Sequence, residues 1–263
     1  KFIKNKKNLG LTKSLNQGLK MAKGKYIARM DADDISLNTR FEIQHNYLEK
    51  QSDIFLVGSG ATFIDEKGNF LLKNIPPITH KKIIERFKIK NCLLHPTIMM
   101  RNEEKLKYRE KLLYVEDYDF YLNLATKGKK LFTMNKILLK CRISKNSIRH
   151  KKAFHQKLFA EKAREFYFQR LSSGKDSYNQ FSKTSILKKN PKNKEFEKDF
   201  LQTKIKTNFS LGKYKNSRKF IKRYFKNYGW KNKFFYYYIS TFLGENIIKA
   251  TLKIMPTSLL RKL

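Results

Sequence analysis

GKYIARMDADD, residues 24–34, is the stretch on which the reading of this chain turns. Ahead of it, Leu9 to Ala22 places apolar residues at Leu11, Leu15, Leu19 and Met21–Ala22, the spacing of an amphipathic helix, and Gly24 closes it. The short apolar run Tyr26–Met30 then predicts a buried strand that leads straight into Asp31, Asp33 and Asp34. In an open α/β sheet, ligands bind beyond the carboxyl ends of strands, which is where these carboxylates fall. Three carboxylates within four residues repel one another unless a cation or a set of donors compensates them. Mg2+ and Mn2+ prefer hard oxygen ligands and often combine one or two carboxylates with substrate phosphates. The plainer alternative is a solvated acidic turn or a helix-capping cluster ahead of Ile35.

Working outward, helix and strand alternate. Helices are predicted over 39–50, 78–90 and 116–126, and strands over 54–57, 97–101, 130–134 and 137–143. A turn at Gly58-Ser59-Gly60 ends one strand, and a hairpin is expected around Glu66-Lys67-Gly68-Asn69. This is an α/β pattern, with a mixed sheet allowed. Beyond about Ser147 strands fade, and 153–171 and 195–209 carry helical spacing between polar linkers at 172–176 and 188–194. The expected organisation is an α/β domain over 1–148 and a basic, mainly helical region over 149–263.

A second acidic cluster, Glu116-Asp117-Tyr118-Asp119, opens a predicted helix, where the macrodipole alone would favour negative charge. In so basic a chain, two tight acidic clusters about 80 residues apart suggest one site, with one cluster holding a metal and the other supplying a general base. Between them lies His95, ahead of Pro96 and a predicted strand; it either lines a substrate pocket or serves the core.

The chain has 263 residues, a formal net charge of +37 and 40% hydrophobic residues, too apolar for disorder despite its charge. Such a charge suits nucleic acid, an anionic lipid surface or a general lysine bias. No nucleic-acid-binding signature is present and the lysines are spread rather than striped, which argues against nucleic acid as the partner. Residues 1–150 carry 31 basic against 15 acidic side chains and the rest 28 against 7, so the tail is the more basic part. Cys92 and Cys141 form neither a disulfide framework nor a zinc motif, in keeping with a reducing, cytoplasmic setting. The longest apolar run, Phe234–Leu243, is too short to span a bilayer. The tail segment KYKNSRKFIKRYFKNYGWKNKFFYYYIS, residues 213–240, mixes Lys and Arg with aromatics. That mixture fits either a helical subdomain with an aromatic core or an interfacial helix peripheral on the inner face of the cytoplasmic membrane.

Five segments in order, NLGLTKSLNQGLKMAKGKYIARMDADD, TRFEIQ, LLHPTIMMR, VEDYDFYLNLATKG and ILLKCRISKNS, resemble the inverting family 2 glycosyltransferases of bacteria over roughly residues 5–148. The resemblance implies a GT-A type nucleotide-diphospho-sugar transferase domain followed by the helical carboxy-terminal region. It implies Mn2+ or Mg2+ at Asp31 and Asp33, with Asp34 close by, and Asp31 near the nucleotide-sugar donor. It places the catalytic base at Asp117, beside Glu116, with Asp119 and His95 toward the substrate. Asn8 and Gly10 would border the nucleotide or simply lead into a helix, and Arg40 would serve phosphate binding or pin the loop. The acceptor would be a glycan or a lipid-linked sugar, as in cell-surface polysaccharide or lipopolysaccharide synthesis.

Two departures accompany the match. The family's opening strand turns of the P-x-Y-N and D-D-G-S kind have no counterpart, so the chain is expected to begin after them. Where relatives carry a histidine after the Arg-Ile pair, this chain has Ser144, with His150 displaced by six residues, and no histidine ligand is expected. The competing readings are glycoside hydrolysis, an inactive glycosyltransferase fragment, and a basic nucleic-acid- or membrane-binding protein.

Overall fold

The computed structural model describes residues 3–143, 152–189, 194–210 and 214–242. Ser144 and His150 lie outside the described residues. The chain divides into two compact units, residues 1–189 and 190–263.

In the first unit a sheet runs in the order β1 (Tyr26–Ala28), β5 (Met99–Arg101), β3 (Ile54–Ile64), β6 (Lys130–Arg142), β2 (Ile35–Ser36), with β4 (Phe70–Asn74) paired to β3. Only β3 and β6 are parallel; the other pairings are antiparallel, so the sheet is mixed. The strand β1 is shorter than the apolar run predicts and lies at one end of this order, its residues half-buried or exposed rather than buried.

The central strand β3 does not stop at Gly58-Ser59-Gly60 but continues to Ile64, nearly all of it buried. Small residues are required there because neighbouring chain comes close: a Cβ on Gly60 would lie 2.8 Å from Ile75 Cγ1 and 2.9 Å from the Asn74 carbonyl. Opposite the same point, β6 is one strand rather than two. The pairing steps from Ser59–Met134 to Gly60–Ile137, so Asn135 and Lys136 bulge out of an otherwise continuous ladder. The β3–β4 hairpin is closed by Asp65, whose carboxylate accepts from Lys67 N at 2.9 Å, Asn69 N at 2.8 Å and Asn69 Nδ2 at 3.0 Å.

Helices cover both faces. On one, Leu48 of α2 (Arg40–Lys50) packs with Ile54, Val57, Met99, Met134 and Leu138. On the other, α3 (His80–Phe87) and α4 (Glu116–Thr126) bury Ile83, Phe87, Tyr118, Tyr121 and Leu122. The same cluster takes in Phe159, Ala163 and Phe166 of α5 (Ala153–Ser173) and Ile186 of the single-turn α6 (Thr184–Leu187). The first helices beyond the last strand therefore belong to the α/β unit's core. The helix α1 (Leu11–Met21) starts at Gly10, whose φ of 76° suits glycine, and it turns Asn16 inward. Asn16 satisfies both faces of its amide on Tyr108, donating to its carbonyl at 2.9 Å and accepting from its N–H at 2.8 Å.

In the second unit, α7 (Lys194–Ser210), α8 (Tyr214–Tyr228) and α9 (Asn232–Ser240) enclose a small core of Leu201, Ile205, Ile221, Tyr224 and Phe234. No described helix is long and apolar enough to cross a membrane.

Candidate active site

The acidic loop leaves β1 through Arg29, and its backbone is fixed from two sides. On the inner side the wholly buried Arg40 donates through Nη2 to the Arg29 carbonyl at 2.7 Å and to the Ile98 carbonyl at 3.2 Å. Its Nε reaches Gln44 Oε1 at 3.0 Å, and Gln44 in turn donates to the Thr97 carbonyl at 2.7 Å. Burial lowers the Arg40 pKa to about 10, an effect the Asp34 charge partly offsets. Arg40 is thus tied to the start of the loop and closed off from solvent.

From the other side Arg142, at the end of β6, donates through Nε to the Asp33 carbonyl at 3.0 Å and through Nη1 to the Asp65 and Glu66 carbonyls, each at 3.1 Å. Its N–H donates to Asp34 Oδ1 at 2.8 Å, and the Cys141 thiol meets Oδ2 at 3.4 Å. Asp34 was expected close to the metal, beside Asp31 and Asp33. Instead its carboxylate is buried and turned into the sheet edge, where burial raises its pKa and the bonds from Arg142 and Cys141 oppose that rise. Asp31 and Asp33 remain on the outer side, Asp31 half-exposed and Asp33 exposed. Asp31 is held by Arg29 in a two-pronged ion pair, at 2.8 and 2.5 Å.

The second cluster opens α4. Asp117 Oδ2 accepts from Asn91 Nδ2 at 2.8 Å, and Oδ1 meets the N–H of Tyr118 at 2.7 Å. Glu116 is buried. Desolvation first, then the Asp117 carboxylate and more weakly Asp31, push its pKa up to about 7, with Arg29 pulling the other way. The charges of Asp31 and Arg29 therefore reach Glu116, across some 85 residues of sequence, so the two acidic segments approach one another in space. The Arg29 charge also acts on His95, Tyr108 and Tyr121.

Two expected substrate residues lie deeper. His95 is buried, its Nε2 is 2.9 Å from the Tyr108 hydroxyl, and burial together with Arg29 pushes its pKa well below the usual value, leaving a neutral imidazole. Its ring packs edge-on against Tyr108 and Tyr121. Asp119 is wholly buried on the inner face of α4, gripped by Arg109 through Nε at 2.7 Å and through Nη2. Arg109 also meets Asp176 at 2.6 Å, beyond the end of α5. Both residues thus support the site from behind. Asn8 and Gly10 are exposed: Asn8 Oδ1 accepts from the Gly10 N–H at 2.8 Å in the turn that leads into α1.

Among the described residues no group of three or more His, Cys, Asp or Glu side chains is placed to hold a metal. The Asp31–Asp33 pair supplies two accessible hard oxygen donors and nothing more, and that fits a divalent ion whose remaining ligands are phosphate oxygens and water. Sequence reasoning passed over Arg29, Asn91, Tyr108 and Arg142. Arg29 had a legible signal, a cation inside an apolar strand next to an acidic loop; Asn91 and Tyr108 had none.

Residues 1–109 match the family model described as Glycosyl transferase family 2. A glycosyltransferase of Methanocaldococcus jannaschii is 41% identical over 163 residues, covering 60% of this chain and 56% of that protein. The amylovoran biosynthesis glycosyltransferase AmsE of Erwinia amylovora is 32% identical over 152 residues, 57% of this chain and 56% of that one. The O-antigen biosynthesis glycosyltransferase WbnJ of Escherichia coli is 33% identical over 160 residues, 59% of this chain and 62% of that one. The chain thus spans somewhat over half the length of these relatives. The mixed sheet, covered by helices and followed by further helices, agrees with the α/β domain and helical carboxy-terminal region expected from the sequence.

Proposed function

We propose that the chain, whose residues 1–109 match the model of glycosyltransferase family 2, is a member of that family and moves a sugar from a nucleotide-sugar donor to a glycan or lipid-linked acceptor, with inversion. The observation that carries this reading is the approach of the Asp31 loop and the start of α4, read from the electrostatic hold of Asp31 and Arg29 on Glu116. The names of AmsE and WbnJ support cell-surface polysaccharide or lipopolysaccharide synthesis as the setting.

Asp31 and Asp33 would hold Mn2+ or Mg2+, which when bound neutralises the departing diphosphate. Arg29 is already charge-paired to Asp31 and its charge also acts on Glu116, so it would contribute to the field between donor and acceptor. Asp117 takes the proton from the acceptor hydroxyl; Asn91 orients its carboxylate by donating to Oδ2. Glu116, its pKa raised to about 7 by burial, is able to hold a proton near neutral pH, which limits the negative charge beside Asp117. Asp34, Arg40 and Arg142 hold the loop, and His95 and Asp119 hold the inner wall.

The test is a donor-panel turnover assay with Mn2+ on the whole chain, with Asp117→Asn and Asp33→Ala beside it. Asp117→Asn is expected to lose about 10² to 10⁴-fold in kcat with donor binding retained. Asp33→Ala is expected to lose Mn2+-dependent binding of a nucleoside diphosphate in calorimetry, a readout that needs no turnover. Equal turnover and equal nucleotide binding in both variants would remove the assigned roles.

A further inference from the structure

Among its described residues, the second unit presents an apolar face outside its own core. On α9, Phe234 is buried, while Phe235, Tyr236, Ile239 and, just past the helix, Phe242 are exposed. Positions 235, 239 and 242 follow the i, i+4, i+7 spacing and share one side of the helix. Trp230, 72% exposed, extends the patch: it stacks on Phe225 at 4.5 Å and lies 5.5 Å from Phe235. Phe242, 65% exposed, closes the other end, with the Arg218 guanidinium 4.6 Å from its ring.

Charge is arranged to match. Between Tyr214 and Phe242 the sequence holds eight Lys and Arg and no Asp or Glu. Arg218 packs on Phe242 and Phe225 packs on Trp230, so the face of α8 that carries 218, 222 and 225 borders the patch, and the exposed Lys222 and Lys226 rim it. Arg223 faces another way, toward Glu197 at 2.7 Å. Exposed aromatic and aliphatic side chains ringed by cations, with no acidic residue in the segment, suit a surface that offers apolar depth beneath negative headgroups. A nucleic acid would use the cations and stack on the rings, but it gives no partner to Ile239.

We propose that this face docks on an anionic lipid bilayer, with Trp230, Phe235, Ile239 and Phe242 entering the interface and Arg218, Lys222 and Lys226 meeting headgroups. The claim concerns where the protein sits and does not rest on the transferase reading.

Trp230 is the only tryptophan in the chain, so its emission reports this face alone. The whole chain is mixed with phosphatidylglycerol–phosphatidylcholine vesicles, with pure phosphatidylcholine vesicles, and with poly(U). With anionic vesicles the emission is expected to shift to the blue, brominated acyl chains to quench it, and the protein to float with the vesicles; pure phosphatidylcholine should produce little of this. Phe235→Ser with Phe242→Ser is expected to weaken partitioning by about tenfold or more. Lys222→Glu with Lys226→Glu should weaken it to a similar degree, about tenfold or more. Unchanged circular dichroism shows that each variant has kept its helices. Flotation without quenching of Trp230, equal binding to neutral vesicles, or a Trp230 response to poly(U) but not to vesicles would each overturn the proposal.

Discussion

Replacing Arg40 with Met separates a residue that pins the acidic loop from one that binds a ligand's phosphate. The side chain is wholly buried and makes three bonds that a thioether cannot: to the Arg29 carbonyl, the Ile98 carbonyl and Gln44 Oε1. Hydrogen bonds from a charged donor contribute about 1.5–3 kcal/mol each, so their loss costs about 4.5–9 kcal/mol. Against this, burial lowers the Arg40 pKa from 12.5 to about 10, and removing that desolvated charge returns about 3 kcal/mol. The net expectation is a destabilisation of about 1.5–6 kcal/mol. Chemical denaturation followed by circular dichroism reads it. Arg40→Lys should recover little, since one ammonium cannot span the three acceptors. A stable Arg40→Met protein that has lost only nucleotide affinity would refute the pinning role.

The Glu116 carboxyl gives a pH signature. Its pKa in the folded chain, raised to about 7 by burial and by Asp117, exceeds its ordinary 4.5, so between these values the folded state binds more protons than the unfolded. Its contribution is fully present below about pH 4.5 and declines as pH rises to about 7, by about 3 kcal/mol in all. Glu116→Gln should therefore melt higher than the parent at pH 8, with the gap closing toward pH 5; parallel melting curves at both pH values would contradict this. Arg109→Met strands the buried Asp119 carboxylate and should cost about 3–5 kcal/mol in thermal or urea unfolding. Adding Asp119→Asn should restore much of that loss, and strict additivity of the two substitutions would rule out a direct pairing.

Much of this was legible in the sequence because periodicity survives without tertiary information. The helix at 116–126 has its predicted bounds, and the helices at 11–21, 40–50 and 153–173 differ from expectation by a residue or two at their ends. The errors arose where tertiary contacts override local signals. Gly58-Ser59-Gly60 reads as a turn, yet these residues lie inside β3 because Ile75 and Asn74 crowd Gly60. At the site, sequence located both acidic segments but could not say which way each carboxylate points. Asp34 turns inward because the Arg142 N–H, 108 residues away, awaits it, and Asp119 because Arg109 does. Likewise Asn91 is silent in sequence, since only the fold brings it to Asp117.

The helix Ala153–Ser173 bears on how this polypeptide can be cut. Phe159, Ala163 and Phe166 sit wholly buried in the same cluster as Phe87, Tyr118 and Tyr121, so the sheet and its earlier helices end with a side still to be covered. A shortened version stopping soon after Arg142 would leave the Tyr118–Tyr121 wall wet and would strip Asp176 from Arg109, whose other partner, Asp119, lies on the helix that begins with Glu116. Excision of a working minimal piece has to retain residues to about 189, where the first compact unit ends.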